Sequence, residues 1–172
     1  MAIFMFMSRV NSLIHQKFQI EYRMTKLTRK IQDLQSYSAM VGKGSVSIGD
    51  LLSSPGSMMN RSMAYMAWAH NSSMQYMQQN APLMQQMYGQ QMAQQTAQQQ
   101  QQMNNYIQRM LYQQGRDRAA QVEAKNLHAE EQKLMYEKEK LEALAKSVEQ
   151  ELKSAREARD KGIQDFAPKY TA

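Results

Sequence analysis

The residues from Ser8 to Val41 carry apolar side chains at alternating steps of three and four. Numbered in sevens, one position reads Val10, Lys17, Met24, Ile31 and Ser38. The second reads Leu13, Ile20, Leu27, Leu34 and Val41. This spacing draws one narrow seam along a helix, and its slight mismatch with 3.6 residues per turn favours a left-handed supercoil. Arg9, Glu21, Arg23, Lys26, Arg29, Lys30 and Asp33 flank the seam as a solvated face. At about 1.5 Å per residue the helix is roughly 50 Å long. Such a seam cannot be buried by its own helix and needs a partner of similar length.

The chain supplies one near its other end. From Arg116 to Lys161, Leu127, Leu134, Leu141 and Val148 recur every seven residues, with Ala155 continuing the row. Leu144 and Leu152 widen the stripe. Glu142 with Lys146 is a charge pair at helical spacing, usual for a coiled-coil flank. The pattern predicts a C-terminal coil over 116–161, interrupted from what precedes it by Gly115 and closed by Gly162, with a tail over 162–172 that Phe166 and Tyr170 could anchor.

Between the coils the pattern changes. Residues 42–57 form a Gly/Ser/Pro connector, since Gly42, Gly44, Gly49 and Ser53-Ser54-Pro55-Gly56 are helix enders and turn formers. Val46 and Ile48 alternate with serines, which suits a short extended piece. Residues 58–114 are rich in Met and Gln. Met63, Met66, His70, Met74, Met77, Ala81, Met84 and Tyr88 again step by three and four, predicting helix with a flexible apolar side chain in place of Leu. Asn80-Ala81-Pro82 marks a kink or restart, and Gly89 a second weak point. Gln90 to Gln102 includes five consecutive Gln from Gln98. Because Met103, Tyr106, Ile107, Met110 and Leu111 resume the stripe, helix through the tract is favoured over a disordered loop that drives condensation.

Composition agrees with an all-α chain. Seventeen Met stand against 4 Phe and 1 Trp, with 7 Gly and 3 Pro in 172 residues, and the mean hydropathy is -0.71. Cys is absent, which excludes disulfides, thiolate metal sites and cysteine nucleophiles. Residues 1–7, MAIFMFM, are apolar but too short for a signal-peptide core, and no basic residue precedes them. They read either as a sticky strand or turn that docks on a neighbouring subunit or as a hydrophobic cap for the first helix. No run reaches the roughly 18 apolar residues of a membrane span.

The net charge of +6 is unevenly spread, with no acidic residue from Leu51 to Arg116. A positive excess can favour nucleic acid, but no dense Lys/Arg block with interleaved aromatics follows a phosphate backbone. Nucleic acid is therefore not expected as a partner, nor is a small-molecule substrate. GKGSVSIGD has the spacing of neither a P-loop nor a dinucleotide loop. His15, His70 and His128 are scattered, and no serine sits in a nucleophile elbow. The chain reads as non-enzymatic and without a cofactor. Met63/Met66, Met74/Met77 and Met84/Met87 are thioether pairs of a kind that suits Cu(I). Packing against a neighbouring helix is the better account of methionines at helical spacing, so no metal site is assigned.

The architecture expected is a long hairpin or coiled coil of N- and C-terminal helices with Met/Gln-rich middle helices. Apolar residues at about two in seven seam positions make the hairpin alone marginal against chain entropy. Neighbouring copies are the simplest supplier of the missing interior. Val10, Leu13, Ile20, Met24, Leu27, Ile31, Leu34, Val41, Leu127, Leu134, Leu141, Leu144, Val148 and Leu152 then form the assembly seam. Met63, Met66, Met74, Met77, Met84 and Met87 form lateral contacts.

The C-terminal stretch from Leu127-His-Ala-Glu-Glu-Gln-Lys-Leu134 through Ile163-Gln-Asp-Phe-Ala-Pro-Lys-Tyr170 is similar to the tails of small helical bacterial proteins of flagellar and type III secretion systems. This resemblance covers about a quarter of the chain, and the Met/Gln middle departs from it. It implies paired terminal helices in a tube wall and a secreted bacterial appendage exported without a cleaved signal peptide. A homo-oligomer or helical polymer is the expected form. The rival reading is a cytoplasmic coiled-coil adaptor or secretion chaperone that binds its partner through the Met stripe.

Overall fold

A computed structural model describes residues 2–42, 54–92 and 96–166, together with Gly49 and Leu52. Among the described residues the chain is all-α, with three helices and no strand. They are α1 (Ala2–Gly42), α2 (Met59–Met92) and α3 (Ala97–Phe166). Val46, Ile48, Pro168 and Tyr170 lie outside the described residues, so the extended piece and much of the tail are not described.

Two compact units divide the chain. The first comprises Met1–Ile31 and Gln132–Ala172, and the second Gln32–Glu131. In the first, the start of α1 lies against the end of α3. Val10, Leu13, Ile20, Val148 and Leu152 form the core, with Ile14, Met24, Leu141, Ala145 and Ala155 packed against it. Leu27, Ile31 and Leu134 are also buried. Arg9 donates to Glu151 at 2.6 Å and Lys17 to Glu149 at 3.2 Å along the edge. These pairs are half-exposed, so each contributes at most about 1 kcal/mol. The buried aliphatic groups, at about 1.5–3 kcal/mol each, hold the two helices together.

Leu144 departs from the expected seam and is 50% exposed. Stepping from Leu141 along the buried face leads to Ala145, which packs on the core, and then to Val148 and Leu152. One residue is a 100° turn of a helix, so Leu144 is carried out to the surface.

The second unit packs the end of α1, all of α2 and the first part of α3. Leu34, Tyr37, Val41, Met58, Tyr65, Ala69, Ile107, Leu111, Ala119, Ala120 and Leu127 are its buried apolar residues, joined by Ser62 and Ser73. A turn over 56–58 leads from Pro55 into α2, and in it the Met58 amide donates to the Pro55 carbonyl at 2.8 Å. Ser57 Oγ reaches back to Asp33 Oδ2 at 2.5 Å.

Several expected breaks are absent. Helix α2 runs through Pro82 and Gly89, and α3 runs through Gly115 and Gly162. A single Gly or Pro costs about 1–3 kcal/mol within a helix, which packing over a long helix outweighs. Gly115 has a positive reason to be there, because a Cβ at that position would meet Ser73 Cα at 2.7 Å. The glycine lets two helices approach closely and does not end one.

The Gln tract is helical at its described residues apart from Thr96. Residues 90–92 lie in α2 and residues 97–102 in α3, Thr96 stands outside both helices, and residues 93–95 lie outside the described residues. Thr96 starts the new helix. Its amide donates to Gln99 Oε1 at 3.1 Å, and its carbonyl accepts from the Gln100 amide at 3.0 Å. The Gln99 contact is the returning half of a Thr-x-x-Gln capping box, which satisfies an amide at the helix start. Ala2 to Met7 also differ from the strand-or-turn alternative, since they are the opening turns of α1. No Gly or Pro separates them from the seam that follows, and Ala and Met are good helix formers.

Candidate functional site

The first unit presents two apolar surfaces that its own fold leaves open. One is the start of α1, where Phe4, Met5, Phe6 and Met7 are 78%, 75%, 36% and 49% exposed. Four consecutive large side chains span the full circumference of a helix. No single neighbouring helix could cover them all. The other is an open groove of about 610 Å³ between α1 and α3. Ile14, Phe18 and Leu152 form its apolar lining, and Lys17, Glu21, Glu149, Lys153, Arg156, Glu157 and Asp160 stand around it. Phe18 is 64% exposed and Tyr22, one turn on, is 71% exposed.

The groove follows from residue choice. The seam residues Leu13 and Val148 share one core cluster, while Ile14 and Phe18 lie one turn apart beside that seam on α1. Across from them α3 places long charged side chains at 149, 153, 156, 157 and 160, whose stems line the space without filling it. Lys17 is held by Glu149 and lies 3.9 Å from Glu21, and Asp160 by Arg159 at 2.7 Å. No ion pair is recorded for Lys153, Arg156 or Glu157 among the described residues.

In the second unit the polar side chains are spent on internal packing. Arg61 donates through Nε to Glu123 Oε1 at 3.0 Å and through Nη1 to Glu130. It also lies over the Tyr37 ring, 5.6 Å from the centroid. Tyr37 is fully buried and donates to Glu123 at 3.3 Å. Burial, reinforced by the Glu123 carboxylate, pushes the Tyr37 phenol well above its ordinary range. Burial also raises Tyr65, with Arg116 opposing the shift. Arg116 Nε and Nη2 are shielded and have no hydrogen-bond partner. His70 Nδ1 and Tyr112 Oη are 2.9 Å apart, and Arg118 stacks 4.4 Å over Tyr76. These groups lock helices to one another.

Of the residues read as an assembly seam, all but Leu144 are buried or half-buried within the two units: Val10, Leu13, Ile20, Met24, Leu27, Ile31, Leu34, Val41, Leu127, Leu134, Leu141, Val148 and Leu152. Among the methionines, Met63 and Met87 are exposed, whereas Met66, Met74, Met77 and Met84 are half-buried. The deepest line on α2 is displaced by one residue from the Met stripe, along Ser62, Tyr65, Ala69 and Ser73. Among the described residues no group of three or more His, Asp or Glu could hold a metal ion. No helix among them is long and apolar enough to cross a membrane.

No protein-family model matches the chain, and neither a curated protein nor a solved structure matches it.

Proposed function

We propose that this chain is a non-enzymatic structural subunit that self-assembles into a helical filament or tube. Helices α1 and α3 act as a coiled-coil hairpin that builds the wall, and the Met/Gln-rich α2 supplies lateral contacts. The observation that carries this reading is the apolar surface left over in the first unit. Phe4, Met5, Met7, Phe18 and Tyr22 are all exposed on one helix. Clustered apolar exposure on that scale marks an interaction surface. Copies of the same chain are the partner at highest local supply, and a contact that does not close on itself propagates into a filament. Export as a bacterial appendage without a cleaved signal peptide belongs to the same proposal, on the resemblance of the C-terminal stretch alone.

One observation favours a second reading. Met63, Trp68 and Met87 are exposed on α2, which suits a cytoplasmic adaptor or chaperone that docks a partner on a Met-rich face. The two readings separate in one experiment. The purified full chain is followed by sedimentation over a hundredfold range of concentration and then imaged by negative stain. Elongated particles that grow with concentration support the subunit. A single 20.0 kDa species at the highest concentration sinks it, and a small fixed oligomer favours the adaptor.

A further inference from the structure

We infer that the opening turns of α1, Phe4 to Met7, are the occupant of the groove lined by Ile14, Phe18 and Leu152 on a second copy of the chain. The inference rests on the self-assembly reading above and names the contact that drives it.

Both surfaces belong to the same compact unit, and both are unfilled within one molecule. They cannot fill each other in cis. Phe4 and Ile14 are ten residues apart on one continuous helix, α1, which fixes them about 15 Å apart along its axis. Phe18 is about 21 Å from Phe4 by the same measure. A helix does not fold back on its own flank, so the occupant must come from elsewhere.

The chemistry of the two surfaces matches. Residues 2–8 carry no charged side chain, so they can enter an apolar floor without stranding an ion. The first amides of α1 have no partner within the helix, and the aligned peptide dipoles give that end about half a positive charge. Glu157 and Asp160 line the groove, and the Glu157 carboxylate can accept from those amides. Phe4 and Met7, three residues apart and so on one face of α1, would then lie on Ile14, Phe18 and Leu152, with the stems of Lys153 and Arg156 as walls.

The contact joins two different patches, so it is heterologous. Each added copy brings one filled and one open surface, and growth continues in one direction.

A complementation experiment tests this. A tip variant, Phe4→Ser with Met7→Ser, keeps an intact groove. A groove variant, Phe18→Asp, keeps an intact tip. Phe4, Met7 and Phe18 are exposed, so helicity by circular dichroism is expected to stay at the wild-type level. If Phe18→Asp loses helicity, Lys153→Trp blocks the groove from its exposed rim instead. Each variant alone is expected to raise the concentration for half-assembly by roughly tenfold or more, as loss of a central anchor does. Mixed in equal amounts, the two should form a one-to-one dimer that does not grow, since each pair uses the only intact tip and the only intact groove. A mixture that stays monomeric, or a variant that assembles like the wild type, overturns the contact while leaving self-assembly standing. A wild-type chain that never assembles removes the assembly reading itself.

Discussion

Gly115 of α3 lies directly against Ser73 of α2, so closely that a Cβ at Gly115 would sit 2.7 Å from Ser73 Cα and 3.3 Å from its carbonyl oxygen. Ser73 Oγ turns away to donate to the Ala69 carbonyl at 2.5 Å, which satisfies the hydroxyl inside its own helix. Small residues on both sides allow this approach. Gly115→Ala is therefore expected to destabilise the fold by about 1–3 kcal/mol through overpacking, despite the better helix propensity of Ala. Gly89 offers the control, because nothing lies within 4 Å of a Cβ built there. Gly89→Ala should stabilise by about 0.5–1 kcal/mol. Urea midpoints of the two variants should move in opposite directions, and a shared direction would show that the close approach is not tight.

The two kinds of ion pair in this chain should differ in worth. Arg61 spans Glu123 and Glu130, and the Glu123 side chain is only 14% exposed. Arg61→Ala leaves a carboxylate sheltered and unpaired, at a cost of about 1–3 kcal/mol. Arg9 and Glu151 pair at half-exposed positions. Arg9→Ala should cost less than about 1 kcal/mol, and that small cost should vanish in high salt. Equal losses for the two variants would contradict the burial argument.

Alkaline pH is the condition to which the second unit should be most sensitive. Tyr37 and Tyr65 both titrate above the ordinary tyrosine value when folded. Their folded forms hold the phenolic proton more tightly than the unfolded chain does. Stability from this source is thus complete below about pH 10. It is lost as pH rises through the raised folded values, because the unfolded tyrosines release their protons first. Tyr37→Phe should flatten the fall in stability above about pH 10. Denaturation midpoints for wild type and variant, measured from neutral to strongly alkaline pH, check the slope. Parallel curves would mean that Tyr37 is not protected.

The seam on α3 can be checked one side chain at a time. Val148 is buried in the core of the first unit, whereas Leu144 is half-exposed. Val148→Ala should cost about 1–3 kcal/mol, from lost transfer energy and the cavity left behind. Leu144→Ala should stay within about 0.5 kcal/mol. The reverse order, read from thermal or urea unfolding, would place Leu144 on the seam after all.

The all-α class and the long seams were legible in the residue order because one rule governs them. A seam buried along its length repeats at nearly 3.5 residues and is built of large aliphatic groups, so Val10 to Val41 and Leu127 to Leu152 stand out. The Thr96–Gln99 cap was also readable, as Thr-x-x-Gln ahead of a helix, but the surrounding Gln tract hides it among identical side chains.

What the order of residues determined without help is local: which stretches are helical, and which aliphatic row on α1 and α3 turns inward. The tertiary structure alone decided the rest. It chose Ala145 over Leu144, and the line Ser62, Tyr65, Ala69 and Ser73 over the methionines beside it, because a helix surface is selected by how closely its neighbour can come. Serine, alanine and glycine signal no hydrophobic stripe, yet they let two backbones approach, and that choice turns the larger methionines Met63 and Met87 outward.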